Sequence, residues 1–469
     1  MHANKIARGF LVVLLAAALA SCGGGLTTPP PPVQASKVGT SFIVGQDAPL
    51  GSVLAFKVTL TGLSASDGTN TVSLITQSQD VEFARLNGLR TLLDIRSVPA
   101  GSYTSVTATI SAPVISYLDT STTPPSVQTM NGTLTQSSIT VQLRQPMVVT
   151  DNGLVGLHMD FRLGSSIQTD ANGQITGTVD PKIAFHAIPP DAPEAEIDEL
   201  HGGVVSVNAA GGSFVMQGPH GRLLTVTTDN NTLFAPGESL NTFDTNTIVE
   251  VSGKLQRQTL TLLASSVQVV SNDRFLLGGL ITDVRPASGP ANQMDLLVHA
   301  ELPDLANAQI GRITSLDFDG NERFVIHHFM LPVGFFLFNR AGLMPGQRVS
   351  TGGLLVTSTN PPGLDVRRVT LHRQGVAGDW VVGSTNIVNG NNGSFRLNAH
   401  GLTGILFGTS AKVATSDRTR FINLPGGLAD LSGTSTMPIR VVGLVLQDPV
   451  NGKPIIIAWA VEKLMPLVP

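Results

Sequence analysis

The sequence predicts an all-β protein in which an N-terminal β-sandwich is followed by three small β-barrel repeats. From Ser41 onward, short runs of β-branched residues alternate with polar residues at a period of two, and Gly, Asn, Asp and Pro separate the runs. This alternation is typical of half-buried strands. After residue 200 the runs recur in a similar order, which indicates tandem repeats. Charged residues make up only 13% of the chain, which suits strands whose solvent faces carry Ser and Thr.

The composition excludes several classes of protein. The 469 residues include one cysteine, so the chain has no internal disulfide framework and no cysteine-based zinc or iron–sulfur site. The formal net charge of −4 argues against binding of duplex nucleic acid, because proteins that bind it present a basic surface. We therefore expect no nucleic-acid partner.

The N-terminus has the features of a secretion signal. Lys5 and Arg8 supply positive charge, and an apolar run of 11 residues follows at Phe10–Ala20. A run of this length is too short to cross a bilayer, which takes about 20 residues, but it suits the apolar region of a signal peptide. We therefore predict a signal peptide at residues 1–21.

The apolar run ends in Leu19-Ala20-Ser21-Cys22, which resembles the lipobox of bacterial lipoproteins. The resemblance implies cleavage between Ser21 and Cys22 and acylation of Cys22, so that several acyl chains anchor the protein to a membrane. A tether rich in Gly and Pro follows at residues 22–39. Because Gly23 rather than Asp follows the cysteine, the resemblance implies the outer membrane of the cell envelope. An ordinary secretory cleavage site with a chance cysteine is the alternative.

The first folded domain is predicted to be the β-sandwich. The runs Val53–Thr61, Ser105–Ile110 and Ser138–Leu143 alternate as half-buried strands do. One helix is expected at Val81–Ile95, where apolar side chains recur at three- and four-residue spacing. Gly88 lies inside this segment, so the helix is expected to be short or broken.

Four motifs of this domain, which spans residues 40–186, carry a resemblance to a bacterial family. They are Asp47-Ala48-Pro49, Val53–Thr61, Leu86–Asp94 and Val98–Thr104, in that order. Their order resembles the bacterial lipoprotein domain of unknown function numbered four-three-eight-two. The resemblance implies a prealbumin- or immunoglobulin-like sandwich with no established activity.

An acidic, Pro-rich segment at residues 187–200 is predicted to be a linker. Ile188–Leu200 holds three prolines and five acidic residues without a base, which favours an extended and solvated segment. A short acidic helix from Pro193 is the alternative.

The three predicted repeats span residues 201–272, 276–374 and 375–469. The first and third share the order of their motifs, for example Gly212–Met216 and Gly393–Leu397, whereas the middle unit matches least well. Five or six short strands in each unit suit a small barrel of the OB kind. The first unit resembles the domain of unknown function numbered five-six-six-six, which is often found in tandem behind lipoprotein signals.

The sequence lacks the standard signatures of catalysis. It has no G-x-S-x-G elbow, no H-E-x-x-H and no phosphate-binding G-x-x-x-x-G-K. We therefore predict no catalytic residue and no cofactor. A glycan hydrolase needs only two carboxylates at a suitable separation, and the 33 acidic residues leave that alternative open without indicating a pair.

Three groups of residues contain possible metal ligands, and none predicts a metal site. His327 and His328 are adjacent, so on a strand their side chains point to opposite faces. His158 and Asp160 would share one face but supply two ligands at most, and a solvated face explains them. Asp317–Glu322 departs from the spacing of an EF-hand loop and is better explained as a hairpin turn.

Aromatic residues are too few for a stacking platform. The chain has two Trp and two Tyr, namely Trp380, Trp459, Tyr103 and Tyr117. Because oligosaccharides and single strands are usually held by exposed rings, this scarcity argues against both classes of ligand. Trp459 lies in an apolar run and is expected in the core.

The uncharged insertion Phe329–Phe338 has two interpretations. An exposed apolar loop would mark a contact with a partner or a membrane, whereas a buried loop would fill the space between repeats. The buried interpretation is favoured.

These observations together predict a lipid-anchored cell-envelope protein that acts as a non-catalytic structural or interaction module. Its partner, whether an envelope protein or a glycan, and its ligand-binding residues are unknown from the sequence. A polysaccharide-binding module and an envelope enzyme are the alternatives.

Overall fold

The computed structural model confirms the all-β prediction, with 60% of residues in strands and 6% in helical turns. It describes the chain from Lys37 to Leu464 apart from short gaps. The described residues are 37–47, 51–123, 125–218, 221–273, 275–306, 308–327, 336–358, 360, 362–400, 410–448, 451 and 453–464. The finer assignment to a sandwich and OB-like barrels stays a prediction.

The N-terminal part of the chain folds into two large sheets and one small sheet. Its strands are β1 (Val38–Asp47), β2 (Val53–Ser66), β3 (Thr71–Ser73), β4 (Gln79–Glu82), β5 (Thr91–Pro99), β6 (Gly101–Asp119), β7 (Ser126–Asn131), β8 (Thr133–Leu134), β9 (Ser138–Val149), β10 (Leu154–Phe161), β11 (Ile167–Thr169), β12 (Ile175–Val179) and β13 (Ile183–Ile188). One large sheet has the order β13-β10-β1-β5. The other has the order β3-β2-β6-β7, with β4 paired to β2 and β9 paired to β6, and the small sheet has the order β11-β12-β8.

Both large sheets contribute to one apolar core. Phe161 of β10 packs against Phe56 of β2, with ring centroids 5.1 Å apart, and against Phe83 at 4.9 Å. The three alternating runs of the first domain lie in β2, β6 and β9, as predicted. Their branched side chains point alternately into this core and outward.

The helix predicted at Val81–Ile95 is wrong. The segment contains the end of β4, a 3₁₀ turn at Ala84–Leu86 and the start of β5. The antiparallel pairing of β5 with β1 satisfies the backbone, and Gly88 takes a positive φ of 77° that ends the turn. Pairing with a distant strand therefore overrode a local helical pattern that Gly88 already weakened.

Helical structure elsewhere is brief. The described residues form an α-helix at Leu163–Ser166 and 3₁₀ turns at Pro193–Ala195, Leu240–Thr242, Arg340–Gly342 and Gly427–Ser432. No helix among the described residues is long and apolar enough to cross a membrane.

The rest of the chain folds into three further sheets. C-terminal sheet 1 contains β14 (Ile197–Asn208), β15 (Ser213–Gln217), β16 (Leu223–Thr227), β17 (Leu233–Phe234), β18 (Ile248–Leu255) and β19 (Leu262–Ser271). C-terminal sheet 2 contains β20 (Phe275–Arg285), β21 (Gln293–Leu302), β22 (Ile313–Asp317), β23 (Arg323–Ile326), β24 (Arg348–Val356) and β25 (Gly363–Leu371). C-terminal sheet 3 contains β26 (Gln374–Trp380), β27 (Asn386–Asn389), β28 (Asn392–Ala399), β29 (Ala411–Thr415), β30 (Arg420–Ile422), β31 (Pro438–Gln447) and β32 (Pro454–Lys463).

C-terminal sheets 1 and 3 share one closed pattern of pairing. In sheet 1 the ladder runs β14-β15-β16-β19-β18 and returns to β14, with β16 and β19 parallel. In sheet 3 the corresponding ladder runs β26-β28-β29-β32-β31 and returns to β26, with β29 and β32 parallel. Sheet 2 has the order β22-β21-β20-β24-β25-β23. Closing a ladder in this way removes exposed strand edges and gives a barrel-like arrangement.

A glycine bulge recurs at the same place in each of these sheets. The register shifts at Gly253, Gly353 and Gly443, where β18, β24 and β31 pair with the strands that follow them. A Cβ atom at these positions would lie 2.1, 1.9 and 2.3 Å from a carbonyl oxygen of the partner strand. Each bulge therefore requires glycine because the backbones approach too closely for a side chain.

The interpretation of Ile188–Leu200 as a solvated linker is wrong at its C-terminal end. The strand β14 begins at Ile197, and the Glu199 side chain is only 1% exposed. Asp198 accepts a hydrogen bond from the backbone N–H of Arg90 at 3.1 Å. These acidic residues thus lie where the N-terminal part of the chain packs against C-terminal sheet 1.

The segment from the 3₁₀ turn at Ala84–Leu86 to β5 contacts two of the C-terminal sheets. Asp94 forms an ion pair with Arg222 of sheet 1 at 2.8 Å. Asn87 donates a hydrogen bond to the Gly375 carbonyl of sheet 3 at 3.1 Å and accepts one from Arg440 at 3.3 Å. This arrangement brings polar groups of several elements into the interior of the molecule.

Candidate functional site

Two glutamates of C-terminal sheet 1 point into a buried polar region. Glu199 lies on β14 and Glu250 on the neighbouring strand β18, where Glu250 is paired with His201. Both glutamates are at most 2% exposed. His201 shares a hydrogen bond with Glu250, with Nε2 and Oε2 3.0 Å apart.

The backbone of Glu199 is strained. Its φ is +49°, a left-handed conformation that is uncommon for residues other than Gly, Asn and Asp. The strand register shifts between Ile197 and Leu200, and the Ser252 hydroxyl accepts a hydrogen bond from the Glu199 N–H at 3.0 Å. Such strain costs about 1–3 kcal/mol and persists where the surrounding structure holds a side chain in a set position. The bulge directs the Glu199 carboxylate toward Glu250.

Two histidines of C-terminal sheet 2 complete the group. His327 and His372 immediately follow the parallel strands β23 and β25, whose register pairs Ile326 with Leu371. The N–H of His327 donates to the Leu371 carbonyl at 2.8 Å. Adjacent parallel strands thus place two imidazoles that are 45 residues apart in the chain side by side.

Glu199, Glu250, His327 and His372 form what we call the Glu–His cluster, in which one ligand atom of each lies within 4.8 Å of the others. His327 Nδ1 is 3.0 Å from Glu250 Oε1, 3.3 Å from His372 Nδ1 and 3.9 Å from Glu199 Oε1. His372 Nδ1 is 3.3 Å from Glu250 Oε2. All four side chains are buried.

Arg348 and Ser350 of β24 surround this cluster. Arg348 Nη1 lies 2.5 Å from Glu199 Oε2 and donates to the Arg373 carbonyl at 2.8 Å. The Ser350 hydroxyl and His372 Nε2 are hydrogen bonded at 2.7 Å. The Glu199 carboxylate therefore has the Arg348 guanidinium as a partner, and the Ser350 hydroxyl orients the His372 imidazole.

Burial and the charged neighbours move the pKa values of the cluster in different directions. Burial would raise the pKa of Glu199, but the Arg348 guanidinium outweighs it and holds the pKa below its usual range. Burial would also raise the pKa of Glu250. The imidazoles of His372 and His327 and the hydrogen bond from His201 outweigh burial and hold this pKa well below its usual range. Burial lowers the pKa of His372 to about 3, although Glu250 opposes this. Near neutral pH the glutamates are therefore ionised and His372 is uncharged.

A cavity of about 450 Å³ reaches the edge of the cluster. Its walls come from β4, β5, β14 and β21 and from the segment after β21, and they include Glu199 and His201. Lysine and arginine side chains (Lys57, Arg85, Arg222) and carboxylates (Asp80, Glu82, Glu301, Asp304) line it together with several leucines. The volume lies within the range of small-molecule sites. We call it the central cavity.

Glu82 is a deeply buried carboxylate of the cavity wall. It accepts hydrogen bonds from the backbone N–H groups of Phe56, Ala84 and Arg85 at 2.8–2.9 Å. Burial raises its pKa to about 7, although these hydrogen bonds and Arg85 oppose the rise. His299 Nδ1 lies 3.9 Å from Glu82 Oε2, and burial lowers the pKa of His299 to about 3.

The lipidation and cleavage residues Cys22 and Ser21, with the rest of the signal sequence, lie outside the described residues. Most of the Phe329–Phe338 insertion also lies outside them. Of its described end, Phe338 is buried and packs against Phe324 with ring centroids 5.5 Å apart, whereas Leu337 is 77% exposed.

The two histidine-containing pairs considered as metal ligands have different surroundings in the structure. His327 belongs to the Glu–His cluster, while His328 lies outside the described residues. His158 and Asp160 lie on β10, but the solvated face expected for them is wrong for His158, which is 5% exposed. His158 is hydrogen bonded to Gln46 at 3.0 Å, and burial lowers its pKa to about 3.

The hairpin predicted at Asp317–Glu322 is wrong, although its turn is present. Gly320 has a φ of +101°, and Asp319 accepts a hydrogen bond from the Asn321 N–H at 2.9 Å. The flanking strands do not pair with each other, because β22 pairs with β21 and β23 pairs with β25. The turn therefore links two strands of one sheet that are not neighbours.

Both tryptophans have structural surroundings. Trp380 is 1% exposed and donates from Nε1 to Thr385 at 3.1 Å. Trp459, expected in the core, is partly buried, and the guanidinium groups of Arg373 and Arg420 lie 4.5 and 4.9 Å from its ring centroid. Neither ring is a free stacking platform.

The sequence alone does not identify Glu199, Glu250 and His372 as members of a site. Glu199 is one of the five acidic residues of the predicted linker, and His372 follows a strand that has no unusual sequence feature. The sequence does contain one indication at Glu250. A single glutamate in the run Ile248–Ser252 is unusual for a strand that is buried on both faces, and it indicates a buried charge with a partner. Its partners, however, are far away in the chain.

Comparison of the chain with models of protein families, with curated protein sequences and with solved structures gave no match.

Proposed function

We propose that the protein is a lipid-anchored cell-envelope protein whose folded part binds a small polar molecule in the central cavity, without catalysing a reaction. The observation that carries this proposal is the cavity itself, which combines about 450 Å³ of space with convergent charged and apolar side chains. Sites for small molecules typically have this composition.

The cavity wall favours a ligand that carries both signs of charge. Lys57 and Arg222 can bind a carboxylate or phosphate, and Asp304 can bind an ammonium group. Leucines such as Leu305 offer an apolar surface beside them. Because Trp380 is buried, stacking on this ring does not support the polysaccharide-binding alternative.

Blocking the cavity mouth tests the binding proposal. Ala306 is exposed and lines the cavity, so Ala306→Trp fills the entrance while leaving the core intact. The exposed Ala171 on a turn outside the lining residues provides a matched control, Ala171→Trp. Thermal unfolding is measured with amino acids, short peptides and amino sugars as probes.

We expect at least one probe class to raise the unfolding midpoint of the wild-type chain and of Ala171→Trp, but not of Ala306→Trp. The binding proposal fails if no probe raises the midpoint, or if the rise persists in Ala306→Trp.

The anchor is supported by the resemblance of Leu19–Cys22 to a lipobox and is tested by Cys22→Ala. The variant is expected to lose acylation and to leave the membrane fraction, with the Ser21→Ala variant as a control that keeps the thiol. A Cys22→Ala chain that stays in the membrane fraction would contradict the anchor.

A second candidate function is that of an envelope glycan hydrolase. One observation favours it: the cavity wall holds Glu82, whose pKa is raised to about 7, and Glu199, whose pKa is lowered. Carboxyl groups with opposite shifts suit a general acid and a base or nucleophile. Glu82→Gln should abolish release of soluble sugars from cell-wall glycans, while Glu301→Gln should retain it. Absence of any release by the wild-type chain removes this candidate.

A further inference from the structure

We propose that the Glu–His cluster binds one divalent transition-metal ion of the Zn²⁺ class. The ligands would be a carboxylate oxygen of Glu199, a carboxylate oxygen of Glu250 and the Nδ1 atoms of His327 and His372. This inference does not depend on the proposed binding of a small molecule, because of the four ligand residues only Glu199 also lines the central cavity.

The spacing of the ligand atoms fits a tetrahedral ion. Zinc binds imidazole nitrogen and carboxylate oxygen at about 2.0–2.2 Å, so neighbouring ligands of a tetrahedral site lie about 3.4 Å apart. His327 Nδ1 lies 3.0 Å from Glu250 Oε1 and 3.3 Å from His372 Nδ1, and His372 Nδ1 lies 3.3 Å from the other Glu250 oxygen, Oε2. The fourth distance, from Glu199 Oε1 to His327 Nδ1, is 3.9 Å. Three of these distances are close to the tetrahedral value, and Glu199 would have to approach His327 to complete the site.

The Glu199 carboxylate provides an independent observation. Among the described residues, Glu199 Oε1 accepts no hydrogen bond although the side chain is 1% exposed, and the buried Glu250 Oε1 lies 3.0 Å from His327 Nδ1. An ionised oxygen that is buried without a donor is costly. Both oxygens face His327 Nδ1, as they would if all three atoms pointed at a common cation.

The surrounding groups orient the ligands as they do around known metal sites. The hydrogen bond between His372 Nε2 and Ser350 allows the ring to carry its proton on Nε2, which leaves the lone pair of Nδ1 directed at the cluster. His201 holds Glu250 Oε2, and Arg348 holds Glu199 Oε2. Each carboxylate therefore has its Oε2 atom held by a basic side chain, while its Oε1 atom faces His327 Nδ1.

The donor set selects the class of ion. Two imidazole nitrogens and two carboxylate oxygens suit zinc and its neighbours among the transition metals, whereas Ca²⁺ and Mg²⁺ prefer sets of oxygen atoms. The two carboxylates carry two negative charges, of which Arg348 offsets one. With uncharged histidines, a divalent ion would change the net charge of these groups from −1 to +1, so both carboxylates would have a positive partner in the buried site. Glu199 also lines the central cavity, which provides an entry path.

Metal titration of the full-length chain tests this inference. The chain is treated with a chelator, dialysed and titrated with Co²⁺, whose visible absorption reports tetrahedral coordination, and with Zn²⁺ in competition with a chromophoric chelator. The variants are His372→Ala, which removes a ligand, and Ser350→Ala, which removes its orienting group. The control is His158→Ala, because His158 is a buried histidine outside the cluster.

We expect one Zn²⁺ ion per wild-type chain and tetrahedral Co²⁺ absorption. Ser350→Ala should weaken the Zn²⁺ affinity by about 10–100-fold, His372→Ala should weaken it further, and His158→Ala should leave it unchanged. If His372→Ala fails to fold by circular dichroism, Ser350→Ala decides the matter. A wild-type chain that binds neither ion, or that binds them as the Ser350→Ala chain does, overturns the inference and leaves a network of ion pairs.

Discussion

Removing the Arg348 guanidinium should reveal how much the buried ion pair with Glu199 matters for stability. In Arg348→Met the aliphatic stem is kept and the charge is lost, so the Glu199 carboxylate stays buried without its partner. The Glu199 side chain is 1% exposed and that of Arg348 is 11% exposed, with 2.5 Å between Nη1 and Oε2. Breaking a buried pair of this kind costs about 3–5 kcal/mol, because the remaining charge is uncompensated.

The assay is guanidinium chloride unfolding of the full-length chain, followed by circular dichroism with a chelator present so that bound metal does not contribute. The control is Arg285→Met, because Arg285 is 44% exposed and pairs with Asp295 at 2.6 Å. An exposed pair contributes about 0–1 kcal/mol. The unfolding midpoint of Arg348→Met should therefore fall several times further than that of the control.

A double variant separates charge from packing. Adding Glu199→Gln to Arg348→Met removes the uncompensated carboxylate and should recover most of the lost stability, because replacing both members of a buried pair is often nearly neutral. The reasoning is refuted if Arg348→Met loses no more than Arg285→Met, or if the double variant is less stable than Arg348→Met alone.

Three further predictions concern other parts of the fold. Burial raises the pKa of Asp47 well above its ordinary value, so this group favours the folded state most below its unfolded pKa, and the contribution is lost as the pH rises. The free energy of unfolding of Asp47→Asn should therefore increase relative to that of the wild-type chain as the pH rises above about 4. A difference between the two chains that stays constant across the pH range would contradict this. Gly353→Ala should cost about 1–3 kcal/mol, because its Cβ would lie 1.9 Å from the Asp365 carbonyl oxygen, whereas Gly203→Ala, with open space around its Cβ, should stay within about 0.5 kcal/mol in the same unfolding assay. Phe161→Ala should cost about 3–5 kcal/mol in calorimetric or denaturant unfolding, because two phenylalanine rings pack against it, and a loss below about 1 kcal/mol would show that the core rearranges to fill the space.

The strands were predictable because their signal is local. The alternation in Val53–Thr61 reports which side chains face the core, and this pattern survives in β2 whatever strand pairs with it. The helix expected at Val81–Ile95 failed for the opposite reason. Its spacing is helical, but the backbone of β5 gains a full ladder with β1, a partner about fifty residues earlier in the chain.

The candidate site was not predictable, because its members come from strands that the sequence does not connect. Glu199 and Glu250 meet through the pairing of β14 with β18, and His327 and His372 meet through the parallel pairing of β23 with β25. Each of these residues has an ordinary local surrounding. Only the packing of sheet 1 against sheet 2 makes them one group.

The amino-acid sequence predicts the all-β class and most of the strands correctly. It also predicts the signal sequence and the anchor at Cys22, because both depend on a short contiguous motif. The tertiary structure decided where the buried charges lie, which histidine belongs with which glutamate, and that a cavity adjoins them. The physical reason is that strand patterns arise from neighbours in the chain, whereas a binding site arises from side chains that approach each other only after the sheets have paired and packed.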